Sequence, residues 1–212
     1  MVAVALWRQE RRVETYSDAV RPLVRAVGER RFFEPRLTGG FEFGPPISAK
    51  RSPGSAADST TWEVLAVAGE LRGRSGATSL AARGARGAAA LFLGDVNAAV
   101  AIYSQLLHDD PRSAEWHSNL AAALLVRGAS EVGSPDQRGK DAEEALRHAD
   151  EALRMNPALN EARFNRGLAL RTLGRAEEAR HSFAELERQS GSWSKAARDH
   201  LRDLEEVSGR RP

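Results

Sequence analysis

The chain has no cysteine, which excludes disulfides, thiolate metal sites and cysteine nucleophiles together. Aromatic residues are scarce, at 6% of 212 positions. No run approaches the roughly 18 consecutive apolar residues a membrane-spanning helix needs, so no span is expected. The opening MVAVALWRQERR places its apolar run ahead of its charges, the reverse of a secretory signal. A cytoplasmic location follows, or a membrane tether through Met1–Trp7 if the true start lies upstream. Charge of one sign is lacking too. Residues 1–93 carry 14 Lys/Arg against 9 Asp/Glu, and the remainder reverses the excess to leave +2 overall. That asymmetry is too weak for a nucleic-acid binder, which gathers positive charge on one face.

Catalytic patterns are missing as well. The five histidines (His108, His117, His148, His181 and His200) show no metal-ligand spacing, and helix-surface positions are expected for all of them. GSPDQRGKD (133–141) has five residues between its glycines and Asp141 after the lysine, where a phosphate loop needs four and a hydroxyl. Glu143-Glu144 and Glu177-Glu178 read as acids opening helices, where they complement the helix dipole. Arginines 8, 11, 12, 21, 25, 30 and 31 alternate with acids, as on a solvated helix face. The chain is therefore read as non-enzymatic, with no cofactor and no metal.

What is present is helical periodicity. Tyr16, Val20, Leu23, Val24 and Val27 recur at helix spacing, with Pro22 as a blemish. RFFEPRLTGGFEFGPPI then alternates like strands around the turn signal Thr38-Gly39-Gly40, which suggests a hairpin or extended arm ended by Pro45-Pro46. We divide the chain into a helix and hairpin-like arm at 1–48, a flexible linker at 49–60 and a helical region at 61–208. In that last region Gly94, Gly128 and Gly174 each close a segment, 34 and then 46 residues apart. Ala99, Ala145 and Ala179 show the same intervals in the opposite order, so a 12-residue insertion separates the second repeat's two halves. ASEVGSPDQRGK (129–140) is that insertion. Asn119 and Asn165 keep the register, 46 apart.

A period of 34 residues made of two helices resembles the tetratricopeptide repeat. The resemblance rests on AEWHSNLAAALLVRG and EARFNRGLALRTLG as first helices, and on LGDVNAAVAIYSQLLHDDP and ALRHADEALRMNP as second helices. Tyr103 and Phe183 take the family's bulky position, Ala121 and Gly167 its small one. Arg86, Ala149 and Gly191 depart from the pattern. Small residues at the crossings let two helices approach, with Gly167 expected opposite Ala179. The resemblance implies an all-α helix-turn-helix solenoid of three repeats. SWSKAARDHLRDLEEV (192–207) would be its terminal cap, and Trp62, Leu65, Val67 and Leu71 would pack at the other end.

By that resemblance the concave face binds a peptide or a partner's helix. Its expected lining is Glu115, Ser118, Ala122, Leu125 and Val126 in the second repeat, then Glu161, Phe164, Leu168, Arg171 and Thr172 in the third. Partner side chains would bury against Phe164, Leu168 and Leu125, with Arg171 setting polarity. Gly84, Ala88 and Glu161 stand where family members that clamp chaperone tails carry Lys, Asn and Lys, which argues against that ligand. The layout as a whole also resembles the region preceding caspase-like CHAT peptidase domains in bacterial multidomain proteins. The alternative function is thus the regulatory half of such a system, its catalytic domain being absent from this cysteine-free chain. Two arrangements are open for the arm: free of the solenoid, or folded back to fill the groove.

Overall fold

The computed structural model describes residues 14–42, 56–74, 76, 78–130, 134–189 and 191–209. They form nine helices and no strand. The first, α1 (Tyr16–Val27), starts at a capping box in which the Thr15 hydroxyl accepts from the Asp18 N–H and Asp18 reaches back to the cap. Tyr16, Ala19, Val20, Leu23, Ala26 and Val27 form its buried stripe at helical spacing. Pro22 lies inside the helix without ending it, so burial of that stripe outweighs the lost backbone bond.

Three hairpins follow: α3 (Leu80–Phe92) with α4 (Val96–Asp109), α5 (Ala114–Ala129) with α6 (Pro135–Met155), and α7 (Asn160–Thr172) with α8 (Ala176–Glu187). Their first helices, α3, α5 and α7, adjoin in one row. A terminal helix, α9 (Ser192–Gly209), packs on α8, and α2 (Ala56–Gly73) packs on α1 and α3. Gly94 and Gly174 close the first and third hairpins at φ 78° and 74°, a region that side-chain-bearing residues avoid.

The small residues at the crossings answer to aromatic rings. A methyl group on Gly167 would come within 2.6 Å of the Phe183 ring, and one on Gly87 within 2.8 Å of the Tyr103 ring. The nearest neighbour across the crossing from Gly167 is therefore the Phe183 ring. The second hairpin carries Ala121 and Ala149 at the matching positions, both fully buried.

Several boundaries differ from the sequence reading. α2 begins at Ala56, inside the stretch expected to be linker. Its buried residues are Val64, Ala68 and Leu71, whereas Trp62 is 71% exposed and Leu65 and Val67 are only half-buried. Positions 64, 68 and 71 keep the helical period that 62, 65 and 67 do not. The second repeat's insertion is mostly helix. Ser134 caps α6, Pro135 occupies its first turn, and Asp136 complements its dipole. Glu143 and Glu144 consequently lie well inside α6 and do not open it. Nor does Gly128 end a helix. It lies within α5, 3.5 Å (as a would-be Cβ) from the Arg138 backbone, and permits α5 and α6 to approach there. The paired α5–α6 ends are fastened by Arg127, whose guanidinium donates to both carboxylate oxygens of buried Asp141, at 3.0 and 2.6 Å.

Candidate functional site

Residues 31–42 form an irregular segment, bent at 32–35 and 38–40, lying against the row of first helices. The turn signal is used, with Gly39 and Gly40 at φ 101° and 92°, but among the described residues 32–42 no strand flanks it, and Phe43 to Pro46 lie outside the described residues. Residues 36 and 38 bond through their backbone to side chains instead. The Asn165 amide on α7 accepts from the Arg36 N–H at 2.7 Å and donates to the Arg36 carbonyl at 2.8 Å. Asn119 on α5 accepts from the Thr38 N–H at 2.8 Å and from the Thr38 hydroxyl at 3.0 Å. Asn165 thus meets both backbone groups of residue 36, as a neighbouring strand would, whereas Asn119 meets only the N–H of residue 38. Asn165 is held in place by a further bond to the Ser118 carbonyl of α5. Both asparagines are fully buried, and Arg36, Leu37 and Thr38 are buried as well.

Side chains of the segment are engaged as well. The Arg36 guanidinium lies 4.7 Å over the Phe164 ring, in a cation–π arrangement. Burial pushes its pKa down to about 9, with Glu34 pulling it back up. Glu34 accepts from Arg31 at 3.1 Å and from Nε2 of His200 at 2.9 Å. Burial raises the Glu34 pKa, but the His200 bond and the Arg31 charge outweigh that and leave it below the usual carboxylate range. Arg171 approaches Nδ1 of His200 at 2.6 Å, and because arginine can only donate, Nδ1 must accept. The His200 proton is thereby fixed on Nε2, facing Glu34. The His200 ring stacks on Phe183 at 4.8 Å and meets Phe164 edge-on at 5.2 Å. On the other side, Phe32, Phe33 and Phe41 surround Phe92 at 5.0–5.6 Å.

The chain matches the family described as Tetratricopeptide repeat over residues 85–132 and 137–195, half of its length. It belongs to the tetratricopeptide-repeat family. The crystal structure of TTC0263, a thermophilic TPR protein in Thermus thermophilus, is similar at a TM-score of 0.56 and 21% identity, covering 73% of this chain and 77% of that one. Among curated proteins, the uncharacterized protein MJ0572 of Methanocaldococcus jannaschii is 51% identical over 43 residues, 20% of this chain. The chain spans 50% of that relative's length. Tetratricopeptide repeats mark a protein–protein interaction scaffold, and proteins of this fold are generally non-enzymatic. No described helix is long and apolar enough to cross a membrane.

Within this tetratricopeptide solenoid the ten expected groove residues fall into three groups. Ser118, Ala122, Leu125, Phe164 and Leu168 are buried, Phe164 beneath Arg36, Trp193 and His200. Val126, Glu161 and Arg171 are half-buried. Glu115 and Thr172 are exposed, and Leu125 and Thr172 border a cleft of ≈ 390 Å³ against α6. Burial, with added repulsion from Glu115, raises the Glu161 pKa, and burial raises that of Glu115.

The groove asparagines served in the sequence only as repeat markers. Their signal was there: a polar amide at one register on the face that the repeat buries. Glu34 and His200 had no such signal. His200 is 7% exposed, not at a surface, because the arm covers it. His117 and His148 also depart from expectation, with Nδ1 atoms 2.9 Å apart across the α5–α6 hairpin. Among the described residues no group of three or more His, Cys, Asp or Glu could hold a metal ion.

Proposed function

We propose that the chain is a protein-binding module whose concave groove holds an extended polypeptide by its backbone, through Asn119 and Asn165. The observation that carries the reading is the pair of amide grips on residues 36 and 38. Main-chain hydrogen bonds supply affinity without regard to sequence, as in strand addition to a sheet edge. The segment 31–42 is the resident occupant, so a partner enters by exchange with it. Phe164, one of the side chains expected to anchor a partner, lies beneath the Arg36 of that segment.

Affinity capture from a lysate tests this, comparing the wild type with an Asn119→Ala/Asn165→Ala variant shown by circular dichroism to be folded. Proteins retained by the wild type, lost with the variant and eluted by a peptide spanning residues 31–42 support the reading. Retention indifferent to both the variant and the peptide contradicts it.

A further inference from the structure

The resident segment also displays what the groove's side chains select. Glu34 meets the one donor face of His200, whose tautomer is locked by Arg171. Two residues on, Arg36 places its guanidinium on Phe164 while Asn165 holds its backbone. Two residues further, the Thr38 hydroxyl adds a second donor to the Asn119 oxygen that already accepts the Thr38 N–H. Positions 35 and 37 carry neither grip. Proline, which has no N–H, is therefore acceptable at 35, and an apolar Leu37 packs at 3% exposure. The selected positions are every second residue of this segment, 34, 36 and 38, one per groove feature.

We propose that the groove is specific for a segment of the pattern acid–any–Arg–apolar–Thr or Ser, and that a partner bearing this pattern displaces residues 34–38 of the chain itself. The inference rests on the backbone-grip reading above. A hydroxyl-bearing residue is selected at the last position because Asn119 has one acceptor oxygen turned to both atoms of Thr38. An arginine is selected over a lysine in the middle because a flat guanidinium can lie on a ring face while its edge reaches an acid. Glu34 approaches that edge, its carboxylate 4.0 Å from Arg36 Nη2. The tethered segment competes with any free peptide at an effective concentration on the order of millimolar, so the intact protein shows low affinity for added ligand.

The test uses the full chain with Glu34→Ala/Arg36→Ala, which weakens the resident segment and leaves every groove residue unchanged. A fluorescent peptide spanning residues 31–42 is titrated against it and followed by anisotropy. The expected result has two parts: at least tenfold tighter binding to this variant than to the wild type, and at least tenfold weaker binding of the same peptide carrying Glu34→Ala and Arg36→Ala. Adding Asn119→Ala/Asn165→Ala to the protein is expected to abolish both. Equal binding of the two peptides, still dependent on the asparagines, overturns the pattern and leaves the backbone grip standing. Binding of neither peptide to the folded variant overturns both. If circular dichroism shows the double variant unfolded, Thr38→Val takes its place, with the expected gain reduced to a few-fold and no gain counting against the pattern.

Discussion

Asn165 and Arg36 lie 129 positions apart in sequence, yet one side-chain amide satisfies both backbone groups of the other residue, at 2.7 and 2.8 Å. Asn165→Leu removes both of these bonds from buried backbone groups. Each such group costs about 1–3 kcal/mol, so the lower-energy course is release of the segment into water. We expect limited trypsin to cut after Arg36 much faster in Asn165→Leu than in the wild type, while helical ellipticity stays near the wild-type value. Equal cutting rates would show that the amide does not hold the segment.

The Gly167–Phe183 crossing predicts a change of sign. In the wild type, Gly167→Ala forces a methyl into the Phe183 ring, an overpacking cost of about 1–3 kcal/mol. In a Phe183→Ala background the clash is gone, and the same change stabilises through helix propensity by about 1 kcal/mol. Urea unfolding of the four proteins in the cycle measures both. Gly167→Ala stabilising in both backgrounds would show that the ring yields easily.

Arg127 and Asp141 fasten the lengthened α6 to α5. Asp141 is 1% exposed, while Arg127 keeps 25% of its side chain in water. Asp141→Ala leaves the arginine a route to solvent, so the loss is expected at about 2 kcal/mol, below the 3–5 of a fully enclosed pair. It appears as a lower urea midpoint with unchanged slope.

The His117–His148 pair sets a pH dependence. Pro111 offers a carbonyl to His117 Nε2, so that nitrogen carries the proton and His148 Nδ1 donates across the pair. Burial, helped by His117 and Arg147 and opposed by Glu151, pushes His148 down to about 4, and burial also lowers His117. Below pH 6.5 the unfolded chain binds protons that the folded chain refuses, so this stability is present above 6.5 and lost as pH falls towards 4. His148→Gln cannot titrate and is expected to flatten the urea midpoint across that window. A wild type no steeper than the variant would contradict the assignment.

Much of this was legible in the sequence because the repeat is local. The first and third hairpins are each specified by their own glycine turn and by a small and a bulky position 16 residues apart, Gly87 with Tyr103 and Gly167 with Phe183. The α6 extension was written locally too, in Ser134-Pro135-Asp136, but the alignment of repeats made those residues look like inserted loop. What the sequence could not show was the fate of residues 31–42. Their alternation suits a strand, and nothing nearby indicates that the pairing partners are two asparagine amides 81 and 129 positions away. Long-range side-chain-to-backbone pairing leaves no periodicity to read.

Amide hydrogen exchange in the intact chain reads the hold of Asn165 and Asn119 on the segment's backbone. Arg36 and Thr38 are expected to be strongly protected although they belong to no helix or strand, and Asn165→Ala and Asn119→Ala are expected to release them. Exchange of both amides at the rate of a free peptide in the wild type would contradict that hold.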